Sequence, residues 1–167
     1  MGKRTLIALG VLSLLGGLAA CSFLGGQDGP EFVHWEPVLS PDGSKLAYES
    51  AEGERLELFV RHLDTGNVQQ ITSNDVDDWS PTWSPDGEQI AFASSRDENA
   101  DIYVVTLESL EVVRLTRDDD EDINPHWGVD GRIYFNSNRT DTWEIYSVNP
   151  DGSDLIRITY SDDPDLP

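Results

Sequence analysis

Cysteine, histidine and basic residues are all scarce in this chain of 167 residues. Cys21 is the only cysteine, so no internal disulfide can form and any fold must stand without covalent staples. The three histidines, His34, His62 and His126, are scattered and show no metal-ligand spacing. Lys and Arg number 11 against 32 Asp and Glu, a net charge of −21. Nucleic-acid binding needs Lys and Arg to displace counterions from phosphates, and this balance excludes it. Electrostatic docking on anionic lipid is disfavoured for the same reason. Cationic groups, metal ions and protein patches that tolerate a negative neighbour remain as partners. Catalytic signatures are missing too. There is no G-x-S-x-G elbow, no H-E-x-x-H pair and no phosphate-cradling glycine loop, and the reading is non-enzymatic. No apolar run reaches the roughly 20 residues of a membrane-spanning helix.

The longest apolar run is Thr5–Ala20, preceded by Lys3 and Arg4. Its length and basic flank fit a secretory signal segment over 1–20. The run ends in Leu18-Ala19-Ala20-Cys21, which resembles the bacterial lipobox. That resemblance implies lipidation at Cys21 and an extracytoplasmic protein anchored to the cell membrane or outer membrane. Residues 21–34 then form the lipidated cysteine and a Gly-rich flexible tether.

Beyond the tether the chain repeats itself. Ser40-Pro41-Asp42-Gly43 returns as Ser84-Pro85-Asp86-Gly87 and, more loosely, as Gly128-Val129-Asp130-Gly131, each 44 residues on. Pro37, Pro81 and Pro125 keep the same interval. Each copy continues with two short apolar runs, such as Ile90-Ala91-Phe92 and Ile102-Tyr103-Val104. Each closes on an apolar residue and threonine: Ile71-Thr72, Leu115-Thr116 and Ile158-Thr159. Proline presets the first corner of the turn, aspartate bonds the turn backbone, and glycine supplies the positive φ. A period near 44 is that of a four-stranded propeller blade. The spacing predicts strands over Pro81–Ser84, Gln89–Ser94, Ile102–Leu107 and Val112–Thr116 of the second copy. Large residues at 90 and 92 alternate with alanines at 91 and 93, a pattern suited to sheets stacked face to face. The expected fold is all-β: three four-stranded antiparallel blades, over 35–78, 79–122 and 123–167.

The stretches PTWSPDGEQIAFASSRDENADIYVV and FNSNRTDTWEIYSVNPDGSDLIRIT resemble the repeats of the TolB-type β-propeller. The resemblance spans 35–167 and implies a six-bladed ring, of which three blades make half. Three arrangements stay open: two chains closing a ring head to tail as a homodimer, a half-propeller completed by a separate or continued chain, or an open monomer. The resemblance implies a protein- or ligand-binding scaffold. Its alternatives are the propeller domain of a peptidase-like assembly whose catalytic domain is encoded elsewhere, or a cation-binding sensor.

Acidic residues gather in the loops between copies: 74–78, 118–122 and 162–165. Sharing one repeat phase, these loops fall on one face. Asp78, Asp122 and Asp165 hold the place where the family favours aspartate near the channel mouth, and His34 departs from it. With Asp77 and Glu121 they form the candidate ligand or cation site, calcium being the metal that oxygen-rich clusters suit. Solvated turns are the alternative. Arg96 and Arg139 recur beside Asp97 and Asp141, which predicts local ion pairs. Trp83 and Trp127 share one repeat position and read as inter-blade core.

Overall fold

The computed structural model describes residues 34–51 and 55–161. Cys21, the segment 1–20 and Asp165 lie outside the described residues. Among the described residues there is no helix. Twelve strands form three four-stranded antiparallel sheets, each a simple meander. The first holds β1 (His34–Leu39), β2 (Lys45–Ser50), β3 (Glu57–His62) and β4 (Val68–Gln70). The second holds β5 (Asp78–Trp83), β6 (Gln89–Asp97), β7 (Asn99–Thr106) and β8 (Val112–Arg114). The third holds β9 (Asp122–Trp127), β10 (Ile133–Ser137), β11 (Glu144–Val148) and β12 (Ile156–Arg157). These are the three blades that the repeat predicts.

The alternation in β6 shows how the blades stack. Ile90 and Phe92 pack with Tyr103, Val105 and Trp83 against Ala47, Leu58, Val60 and Ile71 of the first blade. Ala91 and Ala93 point the other way, with Ile102 and Val104, and receive Trp127, Ile133, Phe135 and Tyr146 of the third. Small side chains on one face leave room for the aromatic residues of the next, so two facing sheets fill the gap at core density. Trp83 and Trp127 are both buried here, as inter-blade core.

The SPDG turns carry their own hydrogen bonds. Ser40 Oγ and Ser84 Oγ each donate to the aspartate two residues on, at 2.6 Å. The Gly43 and Gly87 amides close the turn on the serine carbonyls at 2.8 and 2.9 Å. In the third blade Gly128 replaces the serine, and Tyr134 Oη donates to Asp130 instead, at 2.8 Å. A Cβ on Gly87 would meet nothing closer than Pro41 Cδ at 3.7 Å, but the glycine φ is +72°. Gly87→Ala is therefore expected to cost about 1 kcal/mol through backbone strain alone. A urea unfolding midpoint unchanged by the substitution would contradict this.

Strand limits depart from the expected ones at both ends of the repeat. The inner strand begins at Asp78 rather than Pro81, because pairing resumes on either side of a bulge: Trp79 pairs with Ala93, then Thr82 with Ala91. Ser80 occupies the bulge with φ 52°. The outer strand stops at Arg114, since Thr116 leaves the ladder and its hydroxyl accepts from the Ile102 amide at 2.9 Å. The same bond joins Leu58 to Thr72 and Ile145 to Thr159. The closing threonine of each copy is thus a side-chain strap.

Candidate functional site

At the loop face, the two described recurring aspartates each meet an arginine. Asp78 opens β5 and Asp122 opens β9, and both are fully buried. Arg96 Nη2 donates to both Asp78 carboxylate oxygens at 2.9 Å. Arg139 Nη2 does the same to Asp122, at 2.9 and 2.8 Å. Each guanidinium lies over two rings: Arg96 over Phe92 and Tyr103, Arg139 over Phe135 and Tyr146. The partners are therefore 17 and 18 residues away, not the neighbours Asp97 and Asp141. Asp97 instead accepts from the Tyr103 hydroxyl and pairs with Arg114 at 3.3 Å. The hairpin curls each arginine back across its own blade, and neighbourhood along the chain does not foretell that. Burial pushes the Asp122 carboxyl up, while Ser137 and Arg139 pull it down.

The remaining candidates sit around these pairs. Asp77 Oδ1 accepts the Leu56 amide at 2.9 Å. Glu121 is exposed, and its Oε2 accepts the Ala100 amide at 3.2 Å. The exposed acidity of the face is carried by Asp75, Asp119 and Glu121 rather than by Asp78 and Asp122. Among the described residues no group of three His, Cys, Asp or Glu is placed to hold a metal ion. His126 is exposed on β9.

Two further groups were not singled out from the sequence. The first lies where the inner strands converge. The residue before the repeat proline takes a left-handed φ in every blade: Glu36 at 45°, Ser80 at 52° and Asn124 at 54°. Ser80 Oγ donates to Glu36 Oε2 at 3.1 Å and lies 3.5 Å from Asn124 Oδ1. The Ser80 amide donates to Glu49 Oε1 at 2.5 Å. Burial pushes the Glu49 carboxyl up to about 7, the Ser80 amide pulls it down, and Glu36 adds to the rise. The exact 44-residue spacing of 36, 80 and 124 was the available signal.

The second group is a buried acid at the base of each third strand. Glu57, Asp101 and Glu144 pair in register with Ser50, Ser94 and Ser137. All three are buried. Asp101 receives Arg114 at 2.6 Å and the Thr116 hydroxyl at 3.0 Å. Glu144 pairs with Arg157 at 3.2 Å and accepts the Ser161 and Thr159 hydroxyls. Burial raises Asp101, whereas the Ser161 and Thr159 hydroxyls hold Glu144 down at about 2.

A sequence model of the family described as the TolB beta propeller domain matches residues 31–166. The Tol-Pal system protein TolB of Pseudomonas fluorescens is 50% identical over 42 residues, 23% of this chain and 10% of that protein. The crystal structure of TolB from Acinetobacter baumannii superposes with a TM-score of 0.68 at 30% identity, over 78% of this chain and 33% of that one. A Mycobacterium tuberculosis puromycin-hydrolyzing peptidase superposes with a TM-score of 0.65 at 18% identity, over 77% of this chain and 22% of that one. At that identity the likeness is one of fold. The chain thus spans a third or less of the length of these relatives.

Proposed function

From the premise that this chain belongs to the TolB β-propeller domain family, we propose that it is a non-enzymatic, lipid-anchored scaffold of the bacterial envelope. In this reading Cys21 carries the lipid, and the blades present an acidic loop face to a protein partner with a basic surface. The observation that carries it is the division of labour at that face. Asp78 and Asp122 are consumed by arginines and hold the loops in shape, while Asp75, Asp119 and Glu121 point their charge outward. Rigid strands that hold charged, exposed loops suit recognition of a surface of opposite charge.

The free face of the third blade belongs to the same reading. Ile145 and Ile158 are exposed there at the register places where Ile102 and Leu115 are buried. A second copy or a further blade would cover them. The likeness to peptidase propellers concerns the fold and favours no hydrolytic role.

The test places a photo-crosslinking residue at position 119 or at position 129. The latter lies at the other end of β9, in the turn to β10, and is fully exposed. A discrete protein adduct from 119 alone, lost when Cys21→Ala releases the protein from the membrane, is expected. Equal adducts from both positions, or none from 119, would sink the reading.

A further inference from the structure

The three blades are not equivalent at the buried acid. In the second and third blades an arginine of the outer strand stands in register with an aromatic residue of its neighbour: Arg114 with Tyr103, Arg157 with Tyr146. Each reaches back to the buried carboxylate. Each also donates Nε to a threonine carbonyl, Thr116 at 2.7 Å and Thr159 at 2.8 Å. In the first blade the same place, in register with Phe59, is held by Gln70, which is exposed.

The acid is nevertheless retained. Glu57 is more than nine-tenths buried. Its Oε1 accepts the Asn74 amide at 2.7 Å, but its Oε2 is buried with no hydrogen-bond partner. A buried carboxylate oxygen without a donor is costly, and native structures rarely keep one without use. Its surroundings are acidic: Asp75 and Asp77 occupy the loop that Asn74 opens, and Asp78 is already matched by Arg96. The first blade thus has the acceptors of a guanidinium site and lacks the guanidinium.

We propose that the first blade is a receptor for an arginine side chain of a partner polypeptide. The incoming guanidinium spans Glu57 Oε2 and the Thr72 carbonyl, as Arg114 and Arg157 span the equivalent atoms in their own blades. Gln70, an exposed side chain with three rotatable bonds, swings aside to admit it. The two sister sites define the ligand chemistry: a planar fork that gives one N–H to a carboxylate and one to a carbonyl, which an ammonium group satisfies poorly. The inference rests on the acidic loop face being the binding face and adds which group it recognises.

The experiment uses the full chain in detergent micelles and a fluorescently labelled peptide, Gly-Gly-Arg-Gly-Gly, blocked at both ends. Anisotropy reads binding, and thermal unfolding reads stability. Wild type is expected to bind the arginine peptide about tenfold or more tightly than its lysine counterpart. Glu57→Gln abolishes that preference. Gln70→Arg supplies the missing guanidinium in cis, so it raises the melting temperature and abolishes peptide binding. Because this variant is expected to be more stable than wild type, misfolding does not account for its loss of binding. If wild type and Gln70→Arg bind the peptide alike, the acidic face attracts cations but Glu57 is not the receptor. If wild type does not bind while Gln70→Arg is stabilised, the site accepts only its own side chain. Either result overturns the inference and leaves the crosslinking test of the broader reading intact.

Discussion

Replacing Arg139 by methionine is expected to lower the unfolding free energy by about 3 kcal/mol at neutral pH, the usual cost of removing one partner from a buried ion pair. The magnitude follows from what is left behind. Asp122 has no exposed surface, and Arg139 supplies two of its hydrogen bonds. The same guanidinium pairs with Asp118 at 2.7 Å, bonds Ser137 and covers Phe135 and Tyr146. Methionine keeps the apolar stem but no donor, so Asp122 must stay charged without its cation or take up a proton. Burial already raises its pKa with the arginine present, and the variant raises it further. A group whose folded pKa exceeds its unfolded value loses stability as pH rises through the folded value. The defect should therefore shrink as the pH is lowered, and Asp122→Asn in the same background should recover much of it. Urea denaturation at two pH values measures both effects. A loss below about 1 kcal/mol, within the range of exposed ion pairs, would show the pair to be incidental.

Glu49→Gln is expected to remove a pH dependence that the wild-type protein shows in the neutral range. Glu49 is 5% exposed, accepts the Ser80 amide from the next blade, and faces Glu36 across the same serine. Its carboxyl is raised from 4.5 to about 7, mainly by burial. Between those values the folded state holds a proton that the unfolded state has released. The contribution is thus fully present below 4.5 and lost as pH rises through about 7. At 1.36 kcal/mol per pH unit, the full loss is about 3 kcal/mol. Melting temperature measured from pH 5 to 8 should fall for wild type and stay flatter for Glu49→Gln. Parallel curves for the two proteins would refute the assignment. The effect would be felt between the first and second blades, because the Ser80 amide joins them.

Much of this was legible because it is local. A proline, an aspartate and a glycine in one turn carry their own hydrogen bonds, so Ser40–Gly43 and Ser84–Gly87 announce a hairpin without help from distant residues. Alternation at 90–93 foretold two-sided packing, because side chains in a strand point alternately to opposite faces. The loops at 74–78 and 118–122 were legible as equivalent turns from phase alone, and each leads into the inner strand of the next blade. Which of their acids are exposed was not legible. Asp78 and Asp77 are neighbours in sequence and both were candidates for the ligand or cation site, yet one is sealed under Arg96 and the other bonds a backbone amide.

The repeat, the strand order within each blade, the turn chemistry and the acidic balance could be read before any fold was known, since each depends on contacts a few residues apart or on composition. Tertiary structure alone decided the pairings that close over distance. Ser80 joins Glu36, Glu49 and Asn124 only because three left-handed bulges meet where the inner strands converge. Glu57 became distinct from Asp101 and Glu144 only once the register placed Gln70 where the other blades place arginine. A repeat period states which residues are equivalent. Packing decides which equivalent residues lack their partner, because burial is what turns a missing hydrogen bond into a cost.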